Sequence, residues 1–503
     1  MHNFPILKDL LIILAATLGI TFIFHKFRLP AIMGYLIAGI VIGPYGVGLI
    51  QETADVEILA EIGVVLLLFT VGLEFSLARM MKNLKIVLSG GGLQLLFSIM
   101  GIFIIAYMYG LDFSKSLFAG FLVSLSSTAI VLKMCTDMGD LYAPSGRFTV
   151  GVLLFQDICV VPMMLLIPIL GRVGETSFLN VLWILIESLI AVMIIFFSAR
   201  LLVPALLRQA VRIKSRESFI LFIIFLCMGT AWLTQTFGLS LAMGAFIAGL
   251  IISESEYSHQ AVVEILPFRD FFSSIFFISI GMLLQIEYFW LHWDKFLLIT
   301  GGIILLKAVF AFLTAYIVER SVRLSTIAGL RLAQIGEFSF LLAGEGLRVE
   351  LLDEVSFQAL LGCAILSMFV APAIIHSSTG ISHWVQSIFS SPEEKWEEED
   401  EKLEDHVIIA GCGLNGQNLA RVLSETSIKY IVVDINGERV SQARAAGIPI
   451  IYGDVTSREI MFKAGAKKAK VIAYALSDPI SVRRGIATVR DKNPDIFIMV
   501  RTR

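Results

Sequence analysis

The chain has 503 residues, of which 57% are hydrophobic and 16% are charged, and its formal net charge is −3. Soluble proteins carry about 25% charged residues, so this composition excludes an ordinary soluble protein and indicates a polytopic membrane protein. The near-neutral charge gives no indication of nucleic-acid binding. The five cysteines have no paired spacing that would predict a disulfide framework or a zinc site.

The larger, N-terminal part of the chain consists of apolar stretches of about twenty residues, long enough for a helix to cross roughly 30 Å of hydrocarbon. We predict about thirteen membrane spans, at residues 6–25, 30–49, 56–74, 86–109, 116–136, 147–171, 178–203, 216–235, 239–253, 267–286, 294–319, 324–346 and 355–378. Loops rich in Lys and Arg alternate with loops that carry few positive charges. The positive-inside rule therefore predicts an N-terminus outside and a C-terminus in the cytoplasm.

Three charged residues lie in the middle of predicted spans, where their side chains cannot easily reach an interface. They are Asp157 in the sixth span, Lys307 in the eleventh and Glu337 in the twelfth. A charge at that depth costs a few kcal/mol at least, so such residues usually face a cavity and mark an ion or proton pathway. A buried pair that only fixes helix packing is the alternative interpretation.

Polar residues interrupt the fifth and twelfth spans: Ser126, Ser127 and Thr128 in one, Gln334, Gly336 and Glu337 in the other. We expect locally unwound helices there, with freed backbone groups facing an ion. The two spans are seven apart, an odd offset, so a repeat that relates them must be inverted across the membrane. The alternative is that Ser and Thr only bond back to the preceding turn of an unbroken helix.

Several motifs resemble the cation–proton antiporter superfamily: "RLPAIMGYLIAGIVIGP", "LLLFTVGLEFSL", "SLSSTAIVL", "LLFQDICVVP", "LAMGAFIAGLIISES", "PFRDFFSSIFFISIGM" and "LAQIGEFSF". The Gln156–Asp157 pair resembles the potassium-efflux, Kef-type branch. The resemblance implies a homodimer in a bacterial cytoplasmic membrane, with two broken helices that cross and an elevator movement between outward-open and inward-open states. It also implies that Asp157 binds a proton and a cation in turn, with Gln156 beside it and Lys307 on a neighbouring helix.

Some alternatives stay open at this point. The cation at Asp157 is K⁺ or Na⁺, because selectivity depends on cavity size. A ligand-gated potassium channel or uniporter is a second possibility, although "FTVGLE" (69–74), which looks like a filter fragment, ends a continuous apolar span. The loop "SEYSHQAVVEILPFRD" (255–270) aligns with the regulatory loop of glutathione-gated members but carries little acidic charge, so we expect nucleotide gating instead.

The composition changes near residue 386. We predict a transmembrane antiporter domain (1–385), an acidic linker (386–405) and a Rossmann-like α/β nucleotide-binding domain (406–503). An apolar strand leads into a G-x-G-x-x-G turn, where backbone N–H groups and the helix N-terminus would bind phosphate. A second strand ends at a carboxylate that would accept bonds from ribose hydroxyls. The candidate residues are Gly411, Gly413, Leu414, Asn415, Gly416, Asp434 and Ile435.

This segment resembles the RCK/KTN (TrkA-N) regulatory domains of prokaryotic potassium transporters through "VDINGERV" and "IIYGDVTSREIMFKAGAKKA". The resemblance implies AMP or NAD(H) as a regulatory ligand, with Gly453, Asp454 and Val455 near the base. Arg501 is a candidate phosphate contact by position. No residue for hydride transfer is evident, so we predict a transporter and not an enzyme. NADP should bind worse than NAD, because no arginine is evident beside Asp434. The chain stops after a fifth strand, which indicates a truncated domain.

Overall fold

The computed structural model describes residues 5–27, 29–51, 54–74, 86–141, 143–171, 215–236, 240–389, 404–456, 458–476, 479–491 and 493–500. The chain forms two compact units. The first comprises Met1–Met134, Phe148–Val318 and Ser325–Ile381, and the second comprises Cys135–Arg147, Glu319–Leu324 and Ser382–Arg503. Two short segments from the apolar part of the chain therefore belong to the second unit.

The apolar part of the chain is helical, because a helix satisfies the backbone N–H and C=O groups of a long apolar stretch by hydrogen bonds within the stretch itself. The helices are α1 (Pro5–Lys26), α2 (Ala31–Ile42), α3 (Ala54–Glu74), a π-helical turn (Ile86–Gly91), α4 (Gly92–Met108), α5 (Phe113–Ser124), α6 (Thr128–Met138), α7 (Pro144–Leu170), α8 (Arg216–Thr236), α9 (Leu241–Ser253), α10 (Ser258–Met282), α11 (Ile286–Leu291), α12 (Trp293–Glu319), α13 (Val322–Arg331), α14 (Phe338–Arg348) and α15 (Glu354–Phe389).

Among the described residues, eight helical stretches are long and apolar enough to cross a membrane. One of them, Phe113–Met138, combines the half-helices α5 and α6. The predicted second and ninth spans are the shorter apolar helices α2 and α9, and the predicted seventh span (178–203) lies outside the described residues. The total of thirteen spans stays a prediction.

Two expectations about local structure have a clear outcome. Residues 69–74, which look like a filter fragment, are the helical end of α3 and form no filter loop. The expected loop at 255–270 is wrong for most of its length, since α10 begins at Ser258 and continues to Met282 with Pro267 inside it. The apolar residues between its polar ones continue the helical packing face, and Ala261 and Ile265 are buried in it.

The helices of the first unit pack in two sets of neighbours. In one set α3 lies against α9 and α10, and α2 lies against α10. Glycine allows these close approaches: a Cβ at Gly39 would overlap the carbonyl oxygen of Ile278, and a Cβ at Gly249 would overlap that of Phe69. In the other set α4 packs on α5, and α5 packs on α14. The second set contains both helical interruptions.

The second unit contains a parallel sheet of five strands in the order β3-β2-β1-β4-β5. Its elements are β1 (Val407–Ala410), α16 (Leu414–Glu425), β2 (Tyr430–Asp434), α17 (Gly437–Ala445), β3 (Ile450–Tyr452), α18 (Arg458–Lys463), β4 (Val471–Tyr474), α19 (Pro479–Arg490) and β5 (Phe497–Val500). Separate apolar clusters lie on the two faces of the sheet. The strand order reverses between β1 and β4, and ligands of such sheets bind at that point, outside the carboxyl ends of the strands.

Candidate functional site

The predicted interruption of the fifth span is a break between α5 and α6. Helix α5 ends at Ser124, because Leu125 adopts an extended conformation with φ −73° and ψ 145°. Helix α6 begins at Thr128, and the Ser127 hydroxyl accepts a hydrogen bond from the backbone N–H of Ile130 at 3.3 Å. That bond satisfies one of the donors that a helix N-terminus leaves without a partner. The polar run therefore ends one half-helix and caps the next.

The second interruption, residues 332–337, lies between α13 and α14 and touches the first one. The N–H of Gly336 donates to the carbonyl of Leu125 at 3.0 Å, and the Ser126 hydroxyl donates to the carbonyl of Leu332 at 2.8 Å. Glycine is required for this contact, since a Cβ at Gly336 would lie 2.7 Å from the carbonyl carbon and oxygen of Ser126. The two unwound segments thus meet through main-chain contacts inside the first unit.

Asp157 faces the start of α6. The Thr128 hydroxyl lies 3.0 Å from one carboxylate oxygen of Asp157 and 3.1 Å from the other, and Asp157 is only partly buried. The neighbouring Gln156 is 1% exposed and does not face Thr128. Its Oε1 accepts from the N–H of Ser126 at 2.8 Å, and its Nε2 donates to the carbonyl of Ser124 at 3.3 Å. Gln156 therefore holds the backbone of the break, while Asp157 is the carboxylate beside it.

Lys307, on α12, is fully buried and binds the end of α5. Its ammonium group donates to the carbonyl oxygens of Val123 and Leu125, both at 2.6 Å. Carbonyl groups at a helix C-terminus lack intrahelical partners and carry partial negative charge, which favours a cation. The hydrogen bonds of Lys307 to Val123 and Leu125 are made to backbone carbonyls and not to a carboxylate.

Glu337 and Gln334 lie in the second interruption and are buried, at 7% and 1% exposure. The backbone N–H of Ala129 lies 3.4 Å from Oε1 of Glu337. Among the described residues, neither Oε2 of Glu337 nor either amide atom of Gln334 has a hydrogen-bond partner. Buried polar atoms without partners are uncommon and indicate a ligand, an ion or water at the same place.

In the second unit, the glycine turn has the geometry that phosphate binding requires. Gly411 adopts a φ of +108°, which disfavours any other residue, and a Cβ at Gly416 would overlap the carbonyl oxygen of Gly411. Gly413 precedes the first turn of α16, so Leu414 and Asn415 begin the helix directly after the turn. Backbone N–H groups at such a helix start are a ready anion-binding site.

Asp434 ends β2 beside this turn, and its carboxylate already has partners. It accepts from the N–H of Cys412 at 2.5 Å and from the N–H of Asn436 at 2.7 Å. The guanidinium of Arg439 lies 3.9 Å from the same carboxylate. The expectation that no arginine stands near Asp434 is therefore wrong, because Arg439 in the first turn of α17 lies close to it. Ile435, the next residue, is 41% exposed.

The segment after β3 follows on the same edge of the sheet. The N–H of Gly453 donates to the carbonyl of Asp434 at 3.0 Å, and the side chain of Val455 is buried in the core. Within the second unit Asp454 pairs with Arg323, and it accepts from the N–H of Thr456 at 2.9 Å. Burial acts to raise the pKa of the Asp454 carboxyl, but the Arg323 charge and these hydrogen bonds lower that pKa below its usual value. Arg501 lies outside the described residues.

Three residues at these sites were not predicted from the sequence: Gln94, Arg323 and Arg439. Gln94 is fully buried on α4 and accepts a hydrogen bond from Gln156 at 2.6 Å. A single amide in an apolar helix is weak evidence of a functional site, although a buried polar group requires a hydrogen-bond partner. Nothing in the local sequence pattern of the two arginines distinguishes them from ordinary solvated charges.

Comparison with known proteins identifies the family to which this chain belongs. A model described as "Sodium/hydrogen exchanger, transmembrane" matches residues 12–378, and one described as "TrkA-N domain" matches residues 407–503. The glutathione-regulated potassium-efflux system protein KefC of Enterobacter sp. (strain 638) is 32% identical, over 98% of this chain and 79% of that protein. The chloroplastic K(+) efflux antiporter 2 of Arabidopsis thaliana is 31% identical, over 98% of this chain and 43% of that protein.

Among solved structures, the sodium proton antiporter MjNhaP1 from Methanocaldococcus jannaschii has a similar fold. The TM-score is 0.56 and the identity is 16%, over 78% of this chain and 100% of that chain. At that identity the likeness concerns the fold alone.

Proposed function

Because this chain belongs to the sodium/hydrogen exchanger family and carries a TrkA-N domain, we propose that it exchanges potassium ions for protons and is regulated by a nucleotide. Its relatives are transport proteins and not enzymes. The potassium-efflux relatives, at about one-third identity over nearly the whole chain, support potassium as the cation. We propose that the protein lies in the cytoplasmic membrane as a homodimer, as the resemblance to Kef-type antiporters implies. The positive-inside rule supports an N-terminus outside and a nucleotide domain in the cytoplasm.

The observation that carries this proposal is the Asp157 carboxylate against Thr128 at the start of a half-helix. A partly buried carboxylate with a hydroxyl beside it can hold a proton or a dehydrated monovalent cation, but it cannot hold both. Mutually exclusive occupancy couples the two fluxes if only an occupied site changes the side to which it opens, because each return movement then carries the other ion. Asp157 is thus the exchange site in this proposal, with Thr128 and the nearby Ser127 as oxygen ligands.

Lys307 has a different role in this mechanism from the one that its depth alone indicated. Its ammonium group binds two carbonyl oxygens at the end of α5, so it holds the break in place. In this proposal Asp157 binds the transported cation in one state and a proton in the other. Exchange on this basis is one cation for one proton and moves no net charge across the membrane.

Glu337 and Gln334 are the second source of ligands. Among the described residues, Oε2 of Glu337 and the Gln334 amide have no hydrogen-bond partner, and both side chains belong to the segment that touches the first break. We assign Glu337 to the same ion pathway, as a neutral acid that lends an oxygen or as a relay for the proton. A permanently charged carboxylate there would need a counter-ion, because an unpaired buried charge is too costly.

The elevator movement requires one set of helices to slide past the other. Two features support that division. The interruptions lie between α5 and α6 and between α13 and α14, whereas glycines allow close packing among α2, α3, α9 and α10. Arg348 at the end of α14 pairs with Glu61 on α3, so this ion pair links the two sets. Movement of one set past the other would break it.

The glycine turn supports the regulatory half of the proposal. Gly411 and Gly416 pack closely within the turn, and the open space at Gly413 leaves room for a phosphate beside the first N–H groups of α16. AMP or NAD(H) is the ligand that we propose, with Asp434 near the ribose and the backbone of residues 453–455 near the base. In this scheme the ligand acts as a regulatory signal and not as a redox cofactor.

The decisive experiment is proton flux in proteoliposomes with K⁺, Na⁺, Rb⁺ and Li⁺ gradients applied in turn. We expect potassium-driven proton movement, and we expect Asp157→Asn to abolish it while the protein stays folded, since the amide keeps the size but not the exchangeable charge. A clear preference for Na⁺ would indicate a sodium–proton antiporter. Potassium flux without proton movement would indicate a channel or uniporter.

A further inference from the structure

Gln94 is a buried polar residue that lies next to the proposed exchange site without facing Asp157. It is 0% exposed on α4, and its Oε1 accepts from Nε2 of Gln156 at 2.6 Å. Its own Nε2 lies 3.0 Å from the hydroxyl of Ser98, which is also fully buried. The three side chains form a continuous chain of hydrogen bonds that ends at the backbone of the first break.

The direction of this chain follows from the backbone. The N–H of Ser126 can only donate, and the carbonyl of Ser124 can only accept, so Gln156 must direct Oε1 to the former and Nε2 to the latter. The second N–H of Gln156 is then directed at Gln94, which must present its carbonyl oxygen. Gln94 in turn presents its amide nitrogen to Ser98. Both N–H groups of the Gln156 amide have an acceptor in this arrangement, and its oxygen has a donor.

The π-helical turn before α4 explains how Gln94 comes close enough. Gly91, its last residue, packs against Phe155, the neighbour of Gln156, and a Cβ at Gly91 would overlap the Phe155 side chain. Gly151 and Ile86 also approach closely along the same interface. A π turn changes the phase of the helix that follows it, and such turns are frequent at functional sites. Here it brings α4 against α7 at the level of Gln156.

We propose that Gln94 is a positioning residue that sets the cation affinity and selectivity of the exchange site through Gln156. Gln156 bridges the two sides of the break, from Ser124 to Ser126, so its orientation fixes where Thr128 begins α6 opposite Asp157. Without the carbonyl of Gln94, one N–H of Gln156 loses its acceptor in a buried place and the amide shifts to find another. This inference rests on the proposed exchange function and assigns a further determinant to the same site.

The test compares three variants in proteoliposomes for the KM of potassium and for the ratio of potassium to sodium transport. Gln94→Leu keeps the volume and removes the acceptor, and we expect a KM at least fivefold higher with an altered cation ratio. Gln94→Glu is the conservative rescue: its protonated form accepts from Gln156 and donates to Ser98. Protons compete with potassium at Asp157 in every variant, so each KM is compared with that of wild type at the same pH. The Gln94→Glu KM should be within twofold of wild type at low pH, and the ratio of the two KM values should rise as the carboxyl ionises. Ile102→Ala removes buried packing on the same helix without touching a hydrogen bond.

The outcomes separate this inference from the proposed function. If wild-type protein exchanges potassium for protons but Gln94→Leu retains the KM and cation ratio of Ile102→Ala, the positioning role is refuted and the exchange function stands. If Gln94→Leu does not fold, a ratio of the Gln94→Glu KM to the wild-type KM that stays constant with pH refutes the role instead. If wild-type protein shows no cation-driven proton flux, the proposed function and this inference fall together.

Discussion

Replacing Gly336 by alanine tests whether the two unwound segments must touch for exchange to occur. The added carbon would lie 2.7 Å from the carbonyl carbon and oxygen of Ser126, whereas ordinary contact begins at 3.4 Å. The opposing atoms belong to the main chain, so no side chain can turn away and the segments must separate by about 0.7 Å. Overpacking of this kind costs about 1–3 kcal/mol.

The separation stretches the bond from Gly336 to the carbonyl of Leu125, which is 3.0 Å long, and displaces the start of α6 with it. Displacements of this size at a reacting centre cost about tenfold or more in rate, so we expect at least that loss of potassium-driven proton flux. Gly344→Ala is the matched control, because a Cβ there meets nothing within 4 Å and the residue lies on α14. If Gly336→Ala exchanges at the rate of Gly344→Ala, contact between the segments is not needed and the reasoning fails.

Three further predictions concern separate parts of the molecule. Lys307→Met should lower the unfolding temperature and the flux, since a charged hydrogen bond is worth about 1.5–3 kcal/mol, whereas Lys295→Met at an exposed position of α12 should do neither. A nucleotide at a hundred times its dissociation constant should stabilise the detergent-solubilised protein by about 2.7 kcal/mol, which raises its unfolding temperature. Asp434→Asn should reduce this rise, and no rise with AMP, NAD or NADH would refute nucleotide gating. Arg348→Gln and Glu61→Gln should each change the exchange rate by at most about fivefold, since an exposed ion pair is worth up to about 1 kcal/mol. The two effects should not add in the double variant, and additive effects would mean that the pair does not act as one contact.

The sequence indicated both helical interruptions, and the structure confirms them at residues 125–127 and 332–337. The signal was strong because polar residues inside apolar spans are costly and therefore rare. The resemblance to Kef-type antiporters with a TrkA-N domain is also confirmed. The strand that leads into the glycine turn and the strand that ends at Asp434 were predictable for a similar reason, since glycines and a carboxylate at fixed spacing leave few other interpretations.

The partners of the buried polar groups were not predictable. Lys307 is separated by more than 180 residues from the carbonyls that it binds, so only the tertiary packing of α12 on α5 brings them together. Gln94 carries no local signal, because its role depends on a π-helical turn and on the opposite helix. Arg439 was missed because a charge on a helix surface is ordinarily solvated. In each case the residue type was visible, but its partner depended on long-range packing.

The hydrogen bonds at the two interruptions also limit where an exchanged ion can bind. Unwound backbone inside a membrane must satisfy its N–H and C=O groups, and here other parts of the protein do so. Gln156 accepts a hydrogen bond from the N–H of Ser126, and Lys307 donates one to the carbonyl of Leu125. The Ser367 hydroxyl accepts from the N–H of Ile335 at 3.1 Å. The backbone of the break therefore does not need the ion to hold its shape. In the proposed mechanism an arriving ion meets carboxylate and hydroxyl oxygens on a backbone that is already held in place, and cavity size can then discriminate between cations.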